Sequence, residues 1–237
     1  MVKWDTLWPG GLTFAFDDGP FKPSTDTFLL GGFAAPRPRD RVCDLGAGIG
    51  LLGLLLLARE PSLQVTGIER DAHACAVLAQ NAAENRLPLT ALCADLRQRE
   101  TLPAGAFQLA VSNPPYFAPH TGAVAAGQRG AARSEVTCTL AELCGAASYL
   151  LRSGGQLCLV YRAARLAELM ALLRAHKLEP KELQTVQKTI NTPPRLVLLR
   201  CRKDGGTGLD IRPPLLLQKG DGSESEALGR CYFRDRE

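Results

Sequence analysis

The sequence predicts an α/β fold on one mostly parallel, doubly wound sheet with helices on both faces. Three observations predict it. Apolar runs of strand length alternate with helix-period segments, a glycine-rich turn joins the first run to its helix, and the last two runs are separated by a short loop. Alternation is the mark of strand–helix–strand crossovers, which place successive strands parallel. The short last loop, Thr189-Ile-Asn-Thr-Pro-Pro194, predicts a terminal antiparallel hairpin.

The elements follow in order. Residues 12–32 read as a hairpin around Asp17-Asp18-Gly19-Pro20, with Thr25-Asp26-Thr27-Phe28-Leu29-Leu30 after it. Arg41–Leu45 is the first strand of the sheet and Leu51–Arg59 its helix. Leu63–Glu69 is the second strand. Asp71 caps a helix that runs to about Asn85 and is closed by Asn-Arg-Leu-Pro88. Thr90–Asp95 and Phe107–Ser112 are the third and fourth strands. A long Ala/Gly-rich loop runs from Phe117 to about Thr137. Thr139 caps a helix through Leu151, which Gly154-Gly155 stops. Gln156–Tyr161 is the fifth strand, Ala164–His176 a helix, and Lys181–Lys188 with Arg195–Cys201 the hairpin. Three segments result: an N-terminal hairpin and lid (1–32), the main domain (33–203), and a tail packed on it (204–237), rich in Gly, Ser and charge.

Composition excludes several function classes. No run approaches the roughly 18 apolar residues of a membrane span, and Met1–Gly11 lacks an apolar signal core, so a cytoplasmic protein is expected. The formal charge of +4 permits a nucleic-acid partner without requiring one. There is no C-x-x-C pair, and the step from Cys138 to Cys144 fits no zinc spacing, so no metal is expected. Cys43, Cys93, Cys158 and Cys201 fall in strand-like runs and are expected as buried, reduced thiols. His73, His120 and His176 are scattered, and no G-x-S-x-G elbow supports a serine hydrolase.

The chemistry begins at the first turn, Asp44-Leu-Gly46-Ala-Gly48-Ile-Gly50. Glycines let the backbone approach a ligand and take positive φ. Gly48-Ile-Gly50-Leu-Leu-Gly53 also reads as G-x-G-x-x-G, with Glu69 about 20 residues on. The glycines alone therefore fit NAD or S-adenosylmethionine, since both carry a ribose that wants a carboxylate. Asp44 separates them. An acid at the end of strand one repels a pyrophosphate but suits a cofactor with a sulfonium and an ammonium. Asp95, ending strand three, is placed to meet the adenine amine.

The fourth strand ends in Asn113-Pro114-Pro115-Tyr116. Prolines lack an N–H and fix φ. The Asn113 side-chain oxygen and the Pro114 carbonyl are thus two rigid acceptors with no competing donor from either proline, and they fit an –NH2 group. Tyr116 and Phe117 offer aromatic faces for a flat heteroaromatic or amide-like target. An adenine amine is a poor nucleophile because its lone pair is delocalised. Hydrogen bonds to these acceptors favour a pyramidal nitrogen and aim the lone pair at a methyl donor.

Asp44-Leu-Gly-Ala-Gly48, Glu69, Asp95 and Asn113-Pro-Pro-Tyr116, in that order, resemble the amino-methyltransferase branch of class I S-adenosylmethionine enzymes. Thr25-Asp26-Thr-Phe-Leu-Leu-Gly-Gly-Phe, the Tyr116-Phe117 step, Ala132-Arg133-Ser134-Glu135, Leu178-Glu-Pro180 and Ile211-Arg-Pro-Pro-Leu215 extend the likeness to bacterial tRNA1(Val) adenine-N6 methyltransferases. It covers about residues 12 to 218. One departure is Ser134, where those relatives carry a His.

The resemblance implies a class I methyltransferase Rossmann-like sheet. It implies methyl transfer from S-adenosylmethionine to an adenine N6 in tRNA, of the anticodon-loop position-37 type. It assigns Asn113, Pro114 and Tyr116 to catalysis. Thr25, Asp26, Asp44, Gly46, Gly48, Gly50, Glu69, Asp95, Leu96 and Asn113 are assigned to the cofactor. Tyr116, Phe117, Arg129, Arg133, Lys188 and Arg195 are assigned to the RNA. A monomer or weak homodimer is expected. Two rivals remain: release-factor glutamine N5 methylation, and rRNA adenine or guanine amino-methylation. The first usually brings a long helical N-terminal domain, whereas only about 40 residues precede the glycine turn here.

Overall fold

The computed structural model describes residues 2–16, 22–115 and 138–236. Their centre is an eight-stranded sheet in the order β10-β8-β9-β7-β6-β3-β4-β5, beside a two-stranded ribbon of β1 and β2. The strands are β1 Lys3–Thr6, β2 Thr13–Phe16, β3 Arg41–Leu45, β4 Gln64–Glu69, β5 Leu89–Cys93, β6 Phe107–Ser112, β7 Leu151–Arg162, β8 Leu178–Gln187, β9 Leu196–Lys203 and β10 Asp210–Leu216. The helices are α1 Thr25–Phe33, α2 Leu51–Arg59, α3 Ala72–Glu84, α4 Leu140–Leu150, α5 Leu166–Ala175 and α6 Glu226–Cys231. In the large sheet only β9 runs against its neighbours; the other pairings are parallel.

Alternation along the strands divides the core into two layers. Val42, Val65, Val111 and Val160 face the layer of α1, α2 and α3, where Leu54, Leu55 and Leu78 are buried. Cys43, Ile68, Ala110 and Leu159 face the other layer, packed with Leu143, Ala147, Leu169 and Leu173 of α4 and α5. Helix α2 is apolar nearly all round because it is covered nearly all round, by the sheet, α1 and the chain end.

The central strands and helices fall where the sequence places them, and the caps are those expected. Asp71 accepts the Ala74 N–H at 2.9 Å, and Thr139 with Glu142 forms a full capping box.

Five expectations are corrected. The N-terminal ribbon turns at Leu7–Leu12, where Gly10 supplies φ of +70°, so Lys3 pairs with Phe16; residues 17–21 lie outside the described segments. Thr25–Phe33 is a helix, started by Ser24 as N-cap. Helix α4 ends at Leu150 and β7 begins at once, with an irregular step at residues 152–155 that Gly154, at φ +74°, permits. The tail is more than a surface segment: Asp210–Leu216 joins the sheet beside β8, so the β8–β9 hairpin is not its edge. Cys43, Cys158 and Cys201 are buried, but Cys93, at the end of edge strand β5, is exposed; all eight cysteines are free thiols.

The chain end is anchored where it meets α1 and α2. Arg59 donates to the Arg230 and Cys231 carbonyls at 3.1 and 3.0 Å and lies over the Phe233 ring. Tyr232 stacks on Phe28 at 4.2 Å and its hydroxyl bonds to Thr25 Oγ1 at 2.9 Å. Among the described residues, no helix is long and apolar enough to cross a membrane, and no His/Cys/Asp/Glu group is arranged to hold a metal.

Candidate active site

The carboxyl ends of β3, β4, β5 and β6 lie together. Leu45 pairs with Ile68, Glu69 with Cys93 and Asp44 with Val111. In an open α/β sheet the crevice beyond these ends, at the switch in strand order, is where ligands sit. Here that switch lies between β3 and β6.

The glycine turn is built by its own backbone. The N–H groups of Gly46 and Ala47 both donate to the Ile68 carbonyl, at 2.9 and 3.1 Å. Gly46, Gly48 and Gly50 take φ of +71°, +53° and +82°. A Cβ on Gly50 would sit 2.7 Å from Leu78 Cγ, so that position needs glycine for space as well as for φ. At Gly46 nothing among the described residues lies within 4 Å of an added Cβ, which leaves room for a ligand above the turn.

Three carboxylates surround this turn, and they differ. Asp44 is 2% exposed, and its Oδ2 has no hydrogen-bond partner among the described residues. Burial, and secondarily the charge of Glu69, push its pKa up to about 8. Glu69 is also buried but well engaged: Oε2 accepts the Gly48 N–H at 2.9 Å and Oε1 the Asp71 N–H at 2.8 Å. Asp95 is gripped by Arg97, at 2.6 to 3.0 Å, which holds its carboxyl below the usual range. The Arg97 partner was not foreseen from the sequence. Leu96 is buried beside it.

Asn113 follows β6 directly. Ser112 Oγ donates to the Leu45 carbonyl at 2.8 Å and so ties this strand end to the glycine turn. Asn113 Nδ2 donates to Thr27 Oγ1 at 2.9 Å, with Ser24 Oγ at 3.4 Å. The first turn of α1, with Thr25 and Asp26, therefore borders the same crevice. Pro114 is buried and Pro115 exposed.

Two further residues shape the surroundings of the glycine turn. Asn81 is fully buried and donates to the Ile49 carbonyl at 2.9 Å and the Ala15 carbonyl at 3.2 Å, while accepting the Ala15 N–H. One turn on, Asn85 exchanges the same pair of bonds with Thr13. These amides satisfy the edge of β2 that faces away from β1 and dock the N-terminal ribbon beside the glycine turn. Asn81 and Asn85 share a helix face at i, i+4, which was the available clue.

Lys188 and Arg195 sit on the β8–β9 loop, exposed and at the same end of the sheet, since Arg162 pairs with Leu196. Lys188, after β8, stands three strand spacings from β6 and Arg195, before β9, stands two, on the order of 15 and 10 Å. Tyr116, Phe117, Arg129, Arg133 and Ser134 lie outside the described residues. A cleft of about 510 Å³ between Ser153, Lys181, Arg202 and Thr207 opens at the amino end of β7, opposite the crevice, and holds none of the predicted site residues.

Residues 24–184 match the model of the methyltransferase small domain family. Three relatives are named tRNA1(Val) (adenine(37)-N6)-methyltransferase. The protein from Dickeya chrysanthemi is 31% identical over 94% of this chain and 94% of its own. That from Porphyromonas gingivalis is 32% identical over 80% and 77%, and that from Proteus mirabilis 34% over 67% and 66%. Among solved structures, a predicted O-methyltransferase from Agrobacterium tumefaciens matches with a TM-score of 0.72 at 24% identity, over 88% of this chain and 95% of that one. A T. thermophilus 16S rRNA N2 G1207 methyltransferase, solved with AdoMet and guanosine, matches with a TM-score of 0.57 at 24% identity, over 86% and 50%. These likenesses establish the class I methyltransferase fold.

Proposed function

Because the chain belongs to the tRNA1(Val) (adenine(37)-N6)-methyltransferase family, within the methyltransferase small domain proteins, we infer that it methylates the exocyclic N6 of a tRNA adenine with S-adenosylmethionine. The finer target we propose is the anticodon-loop adenine at position 37, a base that single-stranded geometry lets swing out of its stack. The observation that carries the reading is the Ser112–Leu45 bond, which sets Asn113 beside the glycine turn.

The residues present fit the cofactor. Asp44 Oδ2 is a buried oxygen without a partner among the described residues, suited to a cationic group. Glu69 keeps lone pairs for ribose hydroxyls on a carboxylate that two backbone N–H groups already orient. When bound, the cofactor supplies an electrophilic methyl on a sulfonium. Thr25, Asp26, Asp95 and Leu96 complete its surroundings, and Gly46 leaves it room.

The chain's part in the reaction is positioning. The Asn113 Oδ1 and Pro114 carbonyl accept the two N–H bonds of the amine, hold its lone pair toward the methyl, and stabilise positive charge as it develops on nitrogen. Tyr116 and Phe117 stack on the base. No strong base is required, since the proton leaves an already cationic nitrogen to water. Arg129, Arg133, Lys188 and Arg195 serve the phosphates around it.

Parallel incubation of undermodified tRNA, release factor and rRNA with labelled S-adenosylmethionine, followed by mass mapping of the modified residues, tests the reading. N6-methyladenine at position 37 is expected. Label confined to release factor, or to guanine in rRNA, would overturn it.

A further inference from the structure

We propose that Thr27, with Ser24 behind it, is a positioning residue that fixes which side of the Asn113 amide faces the target amine. The inference rests on the reading of Asn113 as acceptor for that amine, and it concerns a residue outside the motif.

An asparagine amide has a donor side and an acceptor side, and turning it by half a rotation exchanges them. Only one orientation serves methyl transfer: the oxygen must face the incoming –NH2. Asn113 adjoins the first turn of α1, whose unpaired N–H groups and positive dipole end attract a carbonyl oxygen. The helix end by itself therefore favours the wrong orientation, with the oxygen drawn to α1 and the –NH2 left facing the crevice.

Two hydroxyls stand in between. Ser24, the N-cap, takes the Thr27 N–H on its Oγ at 3.4 Å. Its Oγ and Thr27 Oγ1 lie 3.1 Å apart and share a hydrogen bond. When the Thr27 proton is spent on Ser24, Oγ1 is left with lone pairs, and the Asn113 Nδ2 donates to it at 2.9 Å. Ser24 Oγ lies farther from Nδ2, at 3.4 Å, and its lone pairs are taken by Thr27. The hydroxyls thus convert a site that attracts oxygen into one that attracts N–H. Among the described residues none donates to Asn113 Oδ1, which lies on the other side of the amide.

Thr27→Val keeps the shape and removes the acceptor. It should lower the single-turnover rate of methyl transfer about 10- to 100-fold by misorienting a catalytic group, with cofactor affinity unchanged. Thr27→Ser should restore the rate. The decisive comparison is in an Asn113→Asp background, because a carboxylate presents oxygen whichever way it turns. There Thr27→Val should change the rate by no more than about threefold, a strong non-additivity between neighbours. An equal penalty in both backgrounds would mean that Thr27 only supports the fold, and would overturn the proposal. So would a wild-type rate for Thr27→Val. A second readout needs no substrate: proton exchange of the Asn113 side-chain amide by NMR should be slowed in the wild type and fast in Thr27→Val. Unprotected amide protons in the wild type would overturn the proposal even where tRNA is methylated. Protected protons together with no transfer to any tRNA would instead sink the tRNA reading, and the catalytic meaning of Thr27 with it.

Discussion

Ser112 Oγ and the Leu45 carbonyl are joined by a buried 2.8 Å hydrogen bond between the last residues of two adjacent strands. One side of the bond leads into the glycine turn and the other into Asn113. Ser112→Ala leaves a buried carbonyl unsatisfied and should cost about 1–3 kcal/mol of stability, read by urea denaturation. Cofactor affinity and methyl-transfer rate should fall together, because both halves of the site lose their common tether. A loss confined to one of them would show that the halves are held independently.

Asp44 predicts a proton linkage. Burial first, and the Glu69 charge second, raise its pKa from 3.8 to about 8, so in the cofactor-free protein it is largely protonated at neutral pH. A cationic ligand beside it favours the ionised form. Binding of S-adenosylmethionine should therefore release a proton below about pH 8, and affinity should rise with pH by up to about tenfold per unit. Calorimetry in buffers of different ionisation enthalpy measures the release. Stability of the free protein has the opposite slope. The folded state holds the proton more tightly than the unfolded chain, so stability falls as pH rises from about 4 to 8, and Asp44→Asn should flatten that slope.

Glu69 accepts from two backbone N–H groups at once, so glutamine is not a mild replacement. Whichever way a glutamine amide turns, its –NH2 meets either the Gly48 or the Asp71 N–H, donor against donor. Glu69→Gln should weaken S-adenosylmethionine binding by about 1–3 kcal/mol and also lower the melting temperature. A variant that melts like the wild type yet binds poorly would confine Glu69 to the ribose. Unchanged affinity would remove it from the site.

Much of this was legible in the sequence, and the rest was hidden for identifiable reasons. β3 with its glycine turn, α2, and the Asp71 and Thr139 caps follow from local chemistry, and the structure places them there. The segment Thr25–Phe33 was less readable because it has little amphipathic contrast: it is buried between α2 and the chain end, and its helical start rests on one residue, Ser24. β10 was hidden because Pro213 and Pro214 argue against a strand, which edge position and a register shift allow. The candidate site shows the same division. Asp44, Glu69 and Asn113 stand at strand ends and announce themselves. Thr27 and Asn81 act through partners far along the chain and Arg97 through a neighbour's geometry, and apart from the i, i+4 step from Asn81 to Asn85 no spacing marks them.

The β8–β9 loop carries the prediction for RNA. Lys188 and Arg195 are exposed at the crevice end of the sheet but far from Asn113. Glu in place of either should raise the tRNA KM and make binding less salt-dependent, by about one unit of log–log slope per lost phosphate contact. Titration with S-adenosylhomocysteine should be unaltered. Reduced cofactor affinity would place these residues in the fold rather than on the RNA.

Asn113 carries the most direct test of the chemistry. Its acceptor oxygen interacts most strongly when positive charge has formed on the target nitrogen, so the contact belongs to the transition state. Asn113→Ala should lower kcat about 10²- to 10³-fold, the loss expected for one preorganised polar contact at developing charge. Cofactor affinity should barely change, because α1 holds the Nδ2 side of the amide and the proposed role of Oδ1 is toward the target amine. Asn113→Asp keeps an acceptor in place and should retain more activity than the alanine variant. Single-turnover rates at saturating tRNA, with cofactor titrations alongside, separate these outcomes. Methylation by Asn113→Ala at the wild-type rate would reduce the Asn-Pro-Pro segment to a turn and leave the amine to be held by other residues.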